Sequence, residues 1–195
     1  MHIQRALEPG FFIASGRRAS RRSRGGRVRN NMADFTKSVE IVMQHEGGYA
    51  DVSQDRGGKT KYGISQKQYP ELVDFESFRR EQAIEIYKRD YWQPEFNMIA
   101  LQKMADKLFD SSVHMGKVTA VKLLQQALND IRFTVTVDGR FGAQTLLAVN
   151  LACQKHTKAL LDAWRARLAR HYVEIVLNDQ TQLVFLDGWL KRAVA

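Results

Sequence analysis

From Asp34 onward, apolar residues recur with the period of a helix. Asp34 stands where an N-cap belongs, and Phe35, Val39, Val42, Met43 and Glu46 then share one face. Gly47-Gly48 ends that pattern. Residues 48–64 have a different texture, with Gly48, Gly57, Gly58 and Gly63 set among Tyr49, Asp51, Ser53, Asp55, Lys59, Thr60 and Tyr62. The β-formers come singly between turn residues, which predicts a long irregular loop or a small hairpin. Long loops of this kind within helical proteins are commonly functional.

Helical spacing then returns. Ser65 is read as the cap of a short helix ending before Pro70. Ser77 is read as the cap of the next, which carries Ala83, Ile84, Tyr87 and Tyr91 up to Pro94. Leu101, Met104, Ala105, Leu108 and Phe109 build a third face; Val118, Val121, Leu124 (or Leu123) and Leu128 build a fourth. A β-prone run from Phe133 to Val137 meets the turn Asp138-Gly139. Residues 143–152 are helical, and 158–177 form the longest helix, through Leu161, Trp164, Leu168, Tyr172 (or His171), Ile175 and Val176. The tail at 185–190 is read as packing back as a last turn or short helix. The pattern predicts a mostly α fold with one glycine-rich polar loop near its start.

Residues 1–31 lack any such period. They hold eight arginines and a single acid, Glu8, so most of the overall charge of +9 resides there, and 22 bases face 20 acids from Met32 onward. A nucleic-acid footprint over the whole domain is therefore absent. Three readings of the segment stay open: a disordered basic arm, an unusual targeting segment, or upstream sequence before a start at Met32. The arginines follow the short patch Phe11-Phe12-Ile13, the reverse of a secretory signal. One cysteine, Cys153, excludes an internal disulfide, and no apolar run is long enough to span a membrane.

The chemistry concentrates at the first glycine cluster. A carboxyl group at Glu46 meets two influences that oppose ionisation, the negative end of a helix and a partly apolar face. That is the setting of a general acid. Asp55 lies in a polar loop that keeps a carboxylate charged, and two carboxylates in contrasting environments are the recurring plan of glycoside hydrolysis. Thr60 has a hydroxyl suited to hold a water. Ordinary turn chemistry accounts for the same residues without catalysis. Metal sites find no support, since the five histidines lack ligand spacing, and Gly57-Gly58-Lys59-Thr60 lacks the first glycine of a phosphate loop.

The run HEGGY…DRGGKTKYGIS resembles the opening of the glycoside hydrolase family 108 lysozymes, N-acetylmuramidases found as phage endolysins and in bacterial relatives, some described as secretion activators. Further segments fit in order: EIYKRDYWQPEFN at 85–97, LFDSSVHMG at 108–116, LLQQALND at 123–130, VDGRFGAQTLLAVN at 137–150 and FLDGWLKR at 185–192. The resemblance implies a lysozyme-like helical fold with its loop or hairpin at 48–64, a catalytic region at 32–116 and a peptidoglycan-binding region at 117–195. It places the catalytic glutamate at Glu46, with Asp55 and Thr60 beside it. Tyr49, Tyr62, Tyr91, Trp92, His114 and Asp138 are the expected substrate-binding positions. Family members usually carry Ala-Val-Asn where this chain has Ser112-Val113-His114.

The expected activity is hydrolysis of the β-1,4 bond between N-acetylmuramic acid and N-acetylglucosamine, with no metal and no cofactor. Two alternatives stand beside it: a lytic transglycosylase on the same bond, and a wall-binding or secretion-assisting protein with little catalysis. The expected partner is peptidoglycan and not nucleic acid, and the expected state is a monomer. The chain is expected to be made in the cytoplasm and to act on the wall outside the inner membrane. Of the remaining groups, Cys153 is expected to be inert, Trp164 to be core, and Gly142 to permit a close turn.

Overall fold

The computed structural model describes residues 32–45, 60–72 and 74–195. Seven α-helices and a two-stranded hairpin occupy these residues: α1 (Phe35–His45), β1 (Thr60–Lys61), β2 (Ile64–Ser65), α2 (Arg80–Asp90), α3 (Gln102–Met115), α4 (Lys117–Asp130), α5 (Ala143–Lys155), α6 (Thr157–Asn178) and α7 (Leu186–Val194). Short 3-10 turns at Pro94–Met98 and Gln180–Phe185 complete the path. The mostly helical, lysozyme-like reading holds, with a hairpin that reaches one residue past the expected loop.

Asp34 caps α1 as its position requires: its Oδ1 accepts from the Thr36 amide at 2.9 Å. The helix lies along α3 in the same direction. Ser38 Oγ donates to Asp106 Oδ1 at 2.7 Å, and Gln102 accepts from the Asp34 amide while its own amide donates to the Asp34 carbonyl. Between them lies an aromatic core. Phe35, Phe96 and Phe109 meet Trp92 edge-on at 5.4–5.5 Å, the arrangement the ring quadrupole favours.

In the hairpin, Thr60 pairs with Ser65 and Lys61 with Ile64. Its two turn residues both take positive φ, Tyr62 at 54° and Gly63 at 73°, which matches the twist of a tight two-residue connection. Tyr87 Oη donates to the Tyr62 carbonyl at 3.0 Å and fastens the hairpin to α2.

Two expected caps are corrected. Ser65 belongs to β2, and the residues after it form a single turn closed by the Gln68 and Tyr69 amides on the Ser65 carbonyl. Ser77 instead closes a turn with Asp74, whose Oδ1 accepts its amide. The helix starts at Arg80, where the Gln82 side chain accepts from the Arg79 amide at 2.8 Å. Both serines had a nearer backbone partner than a helix end.

Helix α3 passes into α4 through Gly116, whose φ of 83° makes the break. Helices α4 and α6 pack through Val121, Leu124 and Leu128 against Trp164, Leu168 and Tyr172, all buried. Val118, expected on that seam, is 58% exposed. Among the described residues the run 133–137 pairs with no strand. The Asn129 side chain serves both backbone groups of Val135 in place of a neighbouring strand.

The turn at Asp138 is braced by the buried Gln125. Its amide nitrogen donates to Asp138 Oδ1 at 2.9 Å and to the Arg140 carbonyl at 3.1 Å, and its oxygen accepts from the Gly139 amide. The glycine this turn needs is Gly139 and not Gly142. Gly139 has φ 78°, and a Cβ there would lie 2.8 Å from Val118 Cγ1. Gly142 is extended, and a Cβ would meet open space. Phe141 is buried edge-on against Phe96 at 5.1 Å, tying this turn to the aromatic core.

At the far end α7 closes over α3. Arg192 grips Asp110 with two nitrogens, at 2.8 Å (Nη2) and 3.0 Å (Nε), and little of either side chain is exposed. Lys107 beside them donates to the Arg192 carbonyl, and burial pulls its ammonium down to about 8.

Candidate functional site

Because α1 and α3 run in the same direction, α1 ends at His45 on the side of the molecule where α3 reaches Val113. On that side lies an open groove of about 560 Å³, lined by Gln68, Tyr69, Asp90, Tyr91, Val113, Gly116 and Lys117. Four parts of the chain meet there: the turn after β2, the end of α2, the end of α3 and the start of α4.

A connected polar chain forms one wall. Gln68 Nε2 donates to Tyr91 Oη at 2.9 Å, and Tyr69 Oη donates to Asp90 Oδ2 at 2.9 Å. Arg89 holds Asp90 through two nitrogens at 2.7 Å. That guanidinium keeps the Asp90 carboxyl below the usual carboxylate range, with the Tyr69 hydroxyl adding to the effect. Burial raises the Tyr69 phenol well above its ordinary value, so it stays a neutral donor. The groove thus offers a tyrosine ring, an amide, an ionised carboxylate and a lysine, a mixture suited to a hydroxylated and partly charged ligand.

The expected site residues divide. Glu46, Asp55 and Tyr49 lie outside the described residues. Thr60 heads β1, half-buried and paired with Ser65. Tyr91 lines the groove. Tyr62 forms the hairpin turn, its ring 6.3 Å from Phe78 and partly buried on the core.

Trp92 is corrected from a sugar platform to a core residue. It is 7% exposed and edge-on to three phenylalanines, and its Nε1 is engaged by Asn97 Oδ1 at 3.1 Å. His114 is likewise turned from the groove. Its ring sits 5.5 Å from Tyr172 and 6.1 Å from Trp189, with Nδ1 3.4 Å from Arg192 Nη1. Burial, aided by that guanidinium, lowers its imidazole to about 4, so His114 is a neutral packing residue in the α3–α7 joint. Asp138 has its Oδ1 engaged by the Arg140 amide and by Gln125, which makes it a brace of its own turn.

Sequence reading missed Gln68, Tyr69, Asp90 and Lys117. No local motif marks them, and only the meeting of four chain segments makes them neighbours. It also missed Asn150, whose amide clamps the Ala100 nitrogen and the Met98 carbonyl at 2.9 Å each. Burial lifts the Cys153 thiol to about 11, which agrees with an inert sulfur. Among the described residues no group of acidic, histidine or cysteine side chains forms a metal site, and no helix is long and apolar enough to cross a membrane.

Residues 39–116 match the family described as Glycosyl hydrolase 108, and residues 119–194 match the one described as Predicted Peptidoglycan domain. A solved structure, that of SagA from Brucella abortus, is 27% identical, with an alignment covering 82% of this chain and 88% of that one and a TM-score of 0.64. Comparison with curated proteins gave no match. These two adjoining matches identify residues 39–116 as a glycosyl hydrolase 108 region, followed at the C-terminal side by a peptidoglycan-domain region.

Proposed function

We propose that the chain hydrolyses the β-1,4 bond between N-acetylmuramic acid and N-acetylglucosamine in peptidoglycan. The observation that carries this reading is the joining, in one chain, of a glycosyl hydrolase 108 region to a peptidoglycan-domain region. In this reading residues 32–116 hold the chemistry and 117–195 hold the wall, as a monomer acting outside the inner membrane.

Glu46 is the next residue in the sequence after His45. It protonates the glycosidic oxygen as the bond breaks. Asp55 stabilises the positive charge that develops at the sugar carbon or activates the water, and Thr60 orients that water. Tyr91 and Gln68 supply the ring face and amide against which a pyranose lies in the groove.

Digestion of purified walls followed by mass spectrometry tests the reading. Products ending in a reducing muramic acid support it. An anhydromuramic end would assign a lytic transglycosylase, and no soluble product would assign a wall-binding protein. In the same assay Glu46→Gln should lower the rate by about 10²–10⁴-fold while circular dichroism stays unchanged. A folded variant that keeps more than about a third of the parent rate would remove Glu46 from the mechanism.

A further inference from the structure

Helices α4 and α6 leave a second groove between them, of about 320 Å³, on the side of the pair away from their buried seam. It lies wholly in the region that matches the peptidoglycan domain. Its rim carries Lys122, Arg170 and His171, with Glu174 as the one carboxylate among its lining residues. Arg167, also on the rim, is bound through two nitrogens to Asp130 at the end of α4, which fixes the distance between the helices. Val118 lies in the groove with more than half its surface exposed, its remaining side resting against the Gly139 turn.

Two further observations give the groove a direction and a sign. Gly116 and Lys117 line the cavity of Tyr91, while Val118 lines this one, so the two meet at the first turn of α4. The chain from Lys117 onward has eleven Lys and Arg against six Asp and Glu, whereas Met32 to Gly116 has eleven against fourteen. The region that holds the second groove thus carries a net positive charge, and anions are drawn to such a surface.

We infer that the α4–α6 groove binds the carboxylate-bearing stem peptides of peptidoglycan while the glycan strand occupies the adjoining cavity; the inference rests on the reading of peptidoglycan as substrate. Lys122 and Arg170 take the peptide carboxylates, and Val118 meets the methyl groups of its small residues. A strand stripped of peptide keeps only the lactyl carboxylate and methyl group held close to each muramic acid ring, and lacks the carboxylates and methyl groups that the peptide extends away from the strand.

The test compares binding of the full chain to intact walls and to walls stripped of peptide by an amidase, at low and moderate salt. The parent should bind intact walls more tightly, with an advantage that shrinks as salt rises. Lys122→Glu with Arg170→Glu should weaken binding to intact walls by about tenfold or more and leave binding to stripped strands within about twofold. Thermal unfolding should be unchanged, and Lys122→Arg with Arg170→Lys should restore binding. If the double variant does not fold, Arg170→Gln alone is read in the same way.

Equal losses on both materials, or no loss on intact walls, would overturn the inference. So would equally tight binding of the parent to polyglutamate, which would reduce the groove to a general polyanion surface. A parent that neither binds nor cleaves either material would overturn the substrate reading itself. A parent that cleaves walls, with a charge-reversed variant that binds them equally well, would overturn only the role of this groove.

Discussion

The region before Gly116 and the region after it are built by different means. The first joins short helices and turns through an aromatic cluster and side-chain hydrogen bonds. Ser38, Gln102 and Asp106 form one such network, and Phe35, Trp92, Phe96 and Phe109 form the cluster. The second lays longer helices along an apolar seam, with Gln125 as its central buried polar brace. The contrast explains where ligand-facing polar groups lie. Helix ends and turns of the first region open into a groove, while the corresponding polar turn of the second, at Asp138, is used up by its own scaffold. A glycine-containing motif therefore marks a site only where its polar atoms are left to face a ligand.

The contacts between the regions offer the strongest way to break this division. Arg192→Ala leaves the nearly buried Asp110 carboxylate without its guanidinium. It should cost about 3–5 kcal/mol in urea unfolding, because an uncompensated buried charge is the larger part of such a loss. A loss below about 1 kcal/mol would show that α7 does not fasten the two regions.

His114 probes the same joint through pH. Its folded-state value of about 4 lies below the ordinary histidine value, so the unfolded chain binds the extra proton first as pH falls. The contribution is complete above about pH 6.5 and is lost between there and about pH 4. His114→Asn should remove about 3 kcal/mol of pH-dependent stability across that window relative to the parent. The neighbouring Asp110, Arg192 and His171 remain in both proteins, so the difference isolates His114. Identical pH profiles would place the imidazole in solvent.

The glycines of the second region sharpen the comparison at smaller amplitude. Gly139→Ala forces a Cβ against Val118 at positive φ and should cost about 1–3 kcal/mol. Gly142→Ser should do the opposite. It places a hydroxyl at the N-cap of α5 in open space and should raise stability by a few tenths of a kcal/mol. Thermal unfolding of the pair decides which glycine the turn requires.

The sequence by itself determined the helical class, most helix faces, the cap at Asp34, a loop or small hairpin somewhere in 48–64, the inert Cys153 and the core position of Trp164. These follow from period, capping chemistry and turn propensity, which act over a few neighbouring residues. The candidate acids Glu46 and Asp55 were legible as a pattern of residue types, and their geometry lies outside the described residues. What the tertiary structure decided was the use of each polar or aromatic side chain whose partner is distant in the chain. Trp92 reads like a surface ring until Phe35, Phe96 and Phe109 enclose it. His114 reads like a wall of the cleft until Arg192, Tyr172 and Trp189 arrive from the far end of the chain. Ser65 and Ser77 read as caps, yet a strand and an Asx turn claimed them. A single hydrogen bond or ring contact is worth about 1 kcal/mol. Local pattern cannot rank partners so close in energy, and the packing of α3, α4 and α7 determines which of them is within reach.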